Sequence, residues 1–488
     1  MKNPGLIALV LISLALPHCL SAGAKQPANA VNNSGRPSLG GLVYKPINTD
    51  IPKTKRVVLS NGMIVHLMPD HELPLFSVAS MIRVGAIFEP EDKTGLAMLT
   101  GATIRSGGTL STPPDLLDET LEFISGSVET SIGAESGSAS LSVLSKDTDK
   151  GLEIFADVLR NPRFDQGRFE LAKARMLDGI SRQNDSPTGA ASRELLKLIY
   201  KGSAYGRYPT IETVTSITID DVKKFYSKYF VPQNVMLGIT GDYDESAIIS
   251  KLEKVFKGWK GQTPRYPPVA PVTKKFEGGV YLAVKKIPQS VIRMGHLAGR
   301  KTDPDYQTLR VMDDILGGGG FSSRLVKSVR VDRGLAYSVW AYTIGGRREL
   351  GRFMAGAETK ASSTGQVIGL IKSEIERIRT EPVTDEELKM AKDSIINSFI
   401  FVFDRPAKIM GQRMILDYYG YPKDYLETYR DKVMAVTKED IMRVAAKRLH
   451  PDGLKIVIIG DPEKFDMALS RFGKVTELKL ESHGAPRR

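Results

Sequence analysis

Between residues 55 and 84 the chain alternates apolar and polar positions with a period of two. Arg56-Val57-Val58-Leu59 and Met63-Ile64-Val65-His66-Leu67-Met68 flank Asn61-Gly62, a pair suited to the positive φ of a tight turn, so the pattern predicts a β-hairpin. Residues 77–84 predict a further strand. The period then lengthens to that of an amphipathic helix over residues 115–124, 148–159 and 168–182, and again over 306–316, 362–379 and 385–399. Strands and helices come in clusters instead of alternating strictly. This predicts an α+β fold in which helices cover one face of mixed or antiparallel sheets.

The pattern also repeats. Residues 216–242 (SITIDDVKKFYSKYFVPQNVMLGITGD) lie without gaps on 435–461 (AVTKEDIMRVAAKRLHPDGLKIVIIGD). In each, a Thr followed three residues later by an acid opens a helical pattern, a Pro-containing turn comes next, and an apolar strand stops at Gly-Asp. A period this long exceeds any solenoid repeat and implies a duplicated domain. The Pro-rich run Gln262-Thr263-Pro264-Arg265-Tyr266-Pro267-Pro268 reads as a semi-rigid connector. The expected organisation is an N-terminal domain over 51–260, a linker over 261–275, a C-terminal domain homologous to the first over 276–476, and a tail over 477–488.

Residues 1–24 stand apart. Lys2 begins them, residues 6–16 are apolar, and Ala22-Gly23-Ala24 offers the small residues of a signal-peptidase cut. The apolar run is shorter than the roughly 20 residues that a spanning helix needs. An exported, periplasmic protein is therefore expected, with residues 25–50 as an extended leader and no membrane-spanning segment once the signal is removed. Cys19 is the only cysteine in the sequence. Cleavage would remove it, leaving no disulfide and no thiol chemistry.

Composition adds exclusions. With 41% apolar and 25% charged residues the chain has an ordinary globular make-up. The net charge of +12 is spread along the sequence without aromatic interleaving, so it reads as a solvated surface with affinity for acidic peptides or anionic surfaces, and no nucleic-acid partner is expected.

Several blocks resemble the pitrilysin/insulinase (inverzincin) peptidases, a family that includes mitochondrial processing peptidase. They are Arg83-Val84-Gly85-Ala86-Ile87-Phe88-Glu89-Pro90, Gly95-Leu96-Ala97 and Gly108-Thr109. Further on come Ile315-Leu316-Gly317-Gly318-Gly319, Phe321-Ser322-Ser323-Arg324-Leu325, Arg330-Val331-Asp332-Arg333-Gly334-Leu335-Ala336-Tyr337-Ser338 and Val383-Thr384-Asp385-Glu386-Glu387-Leu388. The resemblance covers nearly the whole chain after residue 50. It implies two tandem domains and, in active members, a His-x-x-Glu-His helix that binds zinc and carries the general base.

Laid on that motif, the first His falls on Met98, the Glu on Gly101, the second His on Ala102, and the third ligand on Gly179, next to Asp178. None of the four positions offers imidazole or carboxylate. Met98 carries a soft thioether ill matched to zinc and is expected to fill core space. His66, His71, His296, His450 and His483 include no pair at i and i+4, and His66 and His71 read as surface residues. The resemblance is therefore to a non-catalytic subunit that binds no metal or other cofactor, its homologous partner bringing the zinc.

Arg330 and Tyr337 match a pair that, in the family, reaches the substrate backbone and the reacting carbonyl opposite the zinc. A phenol O–H and a guanidinium suit a developing oxyanion. The alternative is a surface Arg and a core Tyr. Gly317-Gly318-Gly319-Gly320 lacks the Lys-Ser/Thr of a P-loop and serves either as a hinge or as a permissive turn. Two functions remain open: a subunit supplying Arg330 and Tyr337 and half of a chamber for extended peptides, or a purely structural or peptide-binding scaffold.

Overall fold

A computed structural model describes residues 51–273 and 275–480. The expected signal segment and leader, and most of the tail, lie outside the described residues. The strands of the first half are β1 (Lys55–Val58), β2 (Ile64–Pro69), β3 (Leu75–Ile82), β4 (Ser127–Ile132), β5 (Gly137–Leu144) and β6 (Val235–Gly241). Its helices are α1 (Leu96–Ser106), α2 (Pro114–Phe123), α3 (Thr148–Arg160), α4 (Gln166–Ser181), α5 (Pro187–Ile199), α6 (Ile211–Ser216), α7 (Ile219–Tyr229) and α8 (Glu245–Val255). The second half holds β7 (Gly279–Val284), β8 (Gln289–Leu297), β9 (Ala336–Ile344), β10 (Arg352–Lys360), β11 (Lys455–Gly460) and β12 (Val475–Glu477). Its helices are α9 (Tyr306–Asp313), α10 (Thr364–Thr380), α11 (Asp385–Phe399), α12 (Pro406–Tyr419), α13 (Tyr429–Met434) and α14 (Lys438–Arg448).

The duplication is visible in the sheets. One has the order β1-β2-β6-β3-β5-β4 and the other β12-β7-β11-β8-β10-β9, so five positions correspond and only the outermost strand differs. β6 runs parallel to β2 and β11 parallel to β7, while the neighbours on the other side are antiparallel. Local chemistry fixes the repeated elements. Thr218 and Asp221 form a reciprocal capping box on α7, and Thr437 and Asp440 form the same box on α14, each satisfying backbone donors that a helix start leaves open. In the predicted hairpin, Gly62 has φ +90° and the Met63 N–H donates to the Asn61 side chain at 3.1 Å.

Helices of the same half cover one face of each sheet, as the α+β reading expects. The opposite face receives a helix from the other half. On the first sheet, Met410, Met414 and Tyr418 of α12 pack with Met236 of β6. Gly238 makes room: a Cβ there would stand 2.3 Å from the Met414 sulfur. On the second sheet, Ala190, Ala191, Leu195 and Ile199 of α5 pack with Val291, Val457 and Ile459. Each fully buried large aliphatic side chain contributes about 1.5–3 kcal/mol, so the exchange ties the halves together strongly.

The connector runs without regular structure, pinned at Tyr266. Its hydroxyl donates to the Arg83 carbonyl at 2.8 Å, and its ring stacks on Tyr229. Among the described residues no helix is long and apolar enough to cross a membrane.

Candidate functional site

The N-terminus of α1 is built around Glu89. Its carboxylate accepts from the Gly95 N–H at 3.0 Å and the Ala97 N–H at 2.8 Å, two donors that the helix start leaves open. Burial outweighs these bonds and pushes the carboxyl up to about 7. One turn on stands Met98, which is 53% exposed. This corrects the expectation of a core methionine: its side of the helix faces outward.

Gly101 is more than chemically silent. A Cβ on it would lie 2.4 Å from the Ile132 nitrogen and 2.8 Å from the Ser131 carbonyl carbon, so α1 and the edge strand β4 meet backbone to backbone. Thr130 Oγ1 seals the approach by donating to the Gly101 carbonyl at 2.7 Å. Ala102 is exposed and offers a methyl group. Gly179, on an exposed stretch of α4, would meet nothing within 4 Å if it carried a Cβ. Its neighbour Asp178 pairs with Arg182 at 3.0 Å.

These residues do not fit a zinc ion. No imidazole or carboxylate stands at the four positions where the resemblance puts the ligands and the base, and Gly101 is packed against strand backbone. Among the described residues, no three His, Cys, Asp or Glu side chains gather as a metal site.

The second half repeats the close approach. A Cβ on Gly317 would stand 2.3 Å from the Ala341 nitrogen of edge strand β9. Here α9 ends at Asp313 and passes into a wider π-helical turn, Asp314–Gly318. The glycine run expected as a hinge or permissive turn thus has a packing task at Gly317, while Gly320, at φ +62°, makes the turn itself. Both edge strands are partly covered: Arg105 Nε donates to the Val128 carbonyl of β4 at 3.1 Å, and the Thr343 N–H of β9 donates to Asp313 at 2.8 Å.

Tyr337 lies at the start of β9. In the ladder with β10, Glu358 faces Ser338 and Thr359 faces Ala336, so Tyr337 is the extra residue of a β-bulge, a device that re-aims a side chain. Its ring is 83% exposed, which excludes a core tyrosine. Arg330, from the π-helical turn Val326–Val331, brings its guanidinium 4.6 Å from the Tyr337 ring centre and 4.7 Å from that of Phe321. Such contacts hold a planar cation in place while leaving its N–H edge available. Phe321 stood among the motif residues, but nothing in the sequence showed that it would bracket the arginine.

The segment between them is anchored. Arg324 makes a two-pronged pair with Glu387, Nε to Oε1 at 2.7 Å and Nη2 to Oε2 at 2.8 Å. Glu387 also closes the capping box of α11 with Thr384. A cleft of about 540 Å³ opens beside this pair, lined in part by Phe321, Lys327 and Met390.

His66 departs from its expected place. It is buried in β2, its Nε2 lying 2.9 Å from Asp417 Oδ2 and its Nδ1 lying 3.0 Å from Thr54 Oγ1. Burial lowers its pKa despite the carboxylate. Asp417 belongs to the exchanged α12 and also takes Arg56 Nε at 2.8 Å, so the histidine pins the two halves. His71 is exposed, as expected, and meets Asp242 at 2.6 Å.

Family models agree with this architecture. The model described as insulinase (peptidase family M16) matches residues 67–211, and that described as peptidase M16 inactive domain matches residues 216–395; together they take in more than half of the chain. The chain belongs to the insulinase family, M16. Among curated relatives, an uncharacterized zinc protease of Streptomyces coelicolor is 24% identical over 62% of this chain and 67% of its own length. The non-peptidase homolog YmxG of Helicobacter pylori is 23% identical over 81% of this chain and 91% of its own. Among solved structures, an M16 inactive domain from Pseudomonas fluorescens superposes with a TM-score of 0.77 at 25% identity, covering 84% of this chain and 98% of that one.

Proposed function

We propose that this M16 chain is the zinc-free, non-catalytic subunit of an exported two-subunit metallopeptidase. A homologous partner holds the zinc, and this chain supplies Arg330, Tyr337 and half of the peptide-binding chamber. The observation that carries the reading is the contrast between the two halves. The place of the catalytic base is closed by backbone at Gly101, while Tyr337 is lifted out of a bulge, exposed, with an arginine lying over it. No ion pair holds Arg330 among the described residues.

Negative charge develops on the carbonyl oxygen of a peptide under attack. A phenol O–H and a guanidinium placed at that oxygen stabilise it once water is excluded. The extended substrate gains affinity through main-chain bonds with limited sequence preference. The character of residues 1–24 supports export to the periplasm.

The test is to assay the chain, a zinc-bearing M16 partner purified with it, and their mixture on an unstructured peptide. Peptide cleavage faster in the mixture than with the partner alone is the expected result; equal rates would refute the proposal. A purely structural scaffold would give a stable complex whose turnover ignores Tyr337→Phe.

A further inference from the structure

We propose that the cleft between the β4–β5 turn and the β9–β10 turn seats the carboxylate groups of an acidic peptide. The inference rests on the peptide-binding reading above and names the class of peptide. The cleft has a volume of about 370 Å³ and is lined in part by Ala134, Ile344, Lys301, Arg347 and Arg352. Both edge strands end at it, β4 at Ile132 and β9 at Ile344.

Its cations are held but not neutralised. Among the described residues, no carboxylate oxygen lies within 4 Å of the charged nitrogens of Lys301, Arg347 or Arg352. The three cations that line the cleft outnumber its two acids. Glu135 accepts from the Tyr205 hydroxyl at 2.7 Å, and Glu349 faces Arg300 at 3.4 Å.

Backbone bonds keep the cations together. The N–H groups of Gly346 and Gly351 both donate to the Gly299 carbonyl at 3.1 Å, and the Lys301 N–H donates to the Gly346 carbonyl at 2.8 Å. The Arg347 guanidinium lies against α12, 5.2 Å from the Tyr419 ring centre.

One further observation points to an anionic ligand. Burial, together with the charges of Arg347 and Arg310, depresses the pKa of Lys301. A carboxylate entering the cleft offsets this crowding of like charge, because it offers acceptors to planar N–H forks already in place. Free phosphate shares this chemistry; the position at the ends of two strand edges favours the peptide.

The experiment measures fluorescence anisotropy of the full chain with a fluorescein-labelled unstructured peptide carrying Asp residues, against the same peptide with Asn in their place. The acidic peptide is expected to bind about tenfold tighter or more. Arg347→Gln with Arg352→Gln should erase that preference, and Arg347→Lys, which keeps charge without the fork, should retain part of it. Circular dichroism confirms that the variants fold.

Equal binding of the two peptides, no binding of either, or a preference that survives the double substitution would overturn the proposal. So would calorimetric binding of inorganic phosphate alone with no discrimination between the peptides, which marks a free-anion site. These readouts need no partner and no turnover. They can therefore fail while the mixture experiment succeeds, and the reverse.

Discussion

Replacing Gly101 with Ala sets two known effects against each other. Glycine inside a helix is about 1 kcal/mol less favourable than alanine, so propensity alone predicts that Gly101→Ala stabilises α1. The structure predicts the opposite. The new methyl would lie 2.4 Å from the Ile132 nitrogen, 2.8 Å from the Ser131 carbonyl carbon and 2.9 Å from the Ser131 Cα. All three are backbone atoms, which cannot swing aside as a side chain can. Relief requires β4 to move away from α1, lengthening the bonds that Thr130 and Arg105 make across the gap.

Overpacking of this kind costs about 1–3 kcal/mol. Backbone partners place this site at the upper end, leaving a net loss of about 2 kcal/mol after the helix gain. The assay is equilibrium unfolding in denaturant, with Gly179→Ala as the control. That glycine sits in α4 with nothing within 4 Å of its would-be Cβ, so its substitution should gain up to about 1 kcal/mol. If Gly101→Ala proved as stable as the wild type or more so, the close approach and the argument built on it would be wrong. The same obstruction bears on restoring the metal site. Met98→His, Gly101→Glu, Ala102→His and Gly179→Glu together should not yield stoichiometric zinc uptake, because a glutamate is larger than the methyl already excluded.

Three more outcomes are expected. Tyr337→Phe should lower kcat of the two-subunit complex by about 10²–10³, the usual cost of one oxyanion donor, with the complex intact by gel filtration; an unchanged kcat would favour the scaffold reading. Arg324→Ala leaves Glu387 unpaired beside a buried surface and should cost about 3 kcal/mol in unfolding free energy, and a loss below about 0.5 kcal/mol would show that the pair does not hold the segment bearing Arg330. Glu89 is held at about 7 against an ordinary 4.5, so the folded chain keeps a proton that the unfolded chain has released, and stability from this group falls as pH rises from about 4.5 to 7. Unfolding of wild type and Glu89→Gln compared across that window isolates the effect from His66, whose lowered pKa acts in the other direction; a constant difference between the two proteins would refute it.

The sequence carried the features whose causes are local. The Asn61-Gly62 turn, the capped starts of α7 and α14 and the bounds of α11 follow from neighbouring residues, and the duplication followed from comparing two such stretches. The exchange of helices depends on contacts between distant parts of the chain, yet one trace of it was present. Val235-Met236-Leu237-Gly238-Ile239 in β6 and Ile456-Val457-Ile458-Ile459 in β11 are apolar on both faces, and every one of these residues is buried. A sheet with one wet face has no use for such runs, so these strands required a cover on the side left open. α5 and α12 provide it, and they begin at Pro187 and Pro406, the same displacement that separates the two repeated stretches.

The candidate site divides in the same way. That Met98, Gly101, Ala102 and Gly179, where the resemblance puts the ligands, offer no imidazole or carboxylate is a matter of residue identity and could be read directly. Whether those positions still had room for a metal site is a matter of packing. The two edge strands answer it: a glycine at 101 and another at 317 each bring a helix against strand backbone. Helix α1, on which the resemblance puts the zinc ligands, is packed as its counterpart in the second half is packed. Its geometry now serves the edge of the sheet. On the proposed reading, building a zinc site in this chain requires moving β4 as well as changing four side chains, whereas Arg330 and Tyr337, carried on a π-helical turn and a bulge, already stand together at the surface.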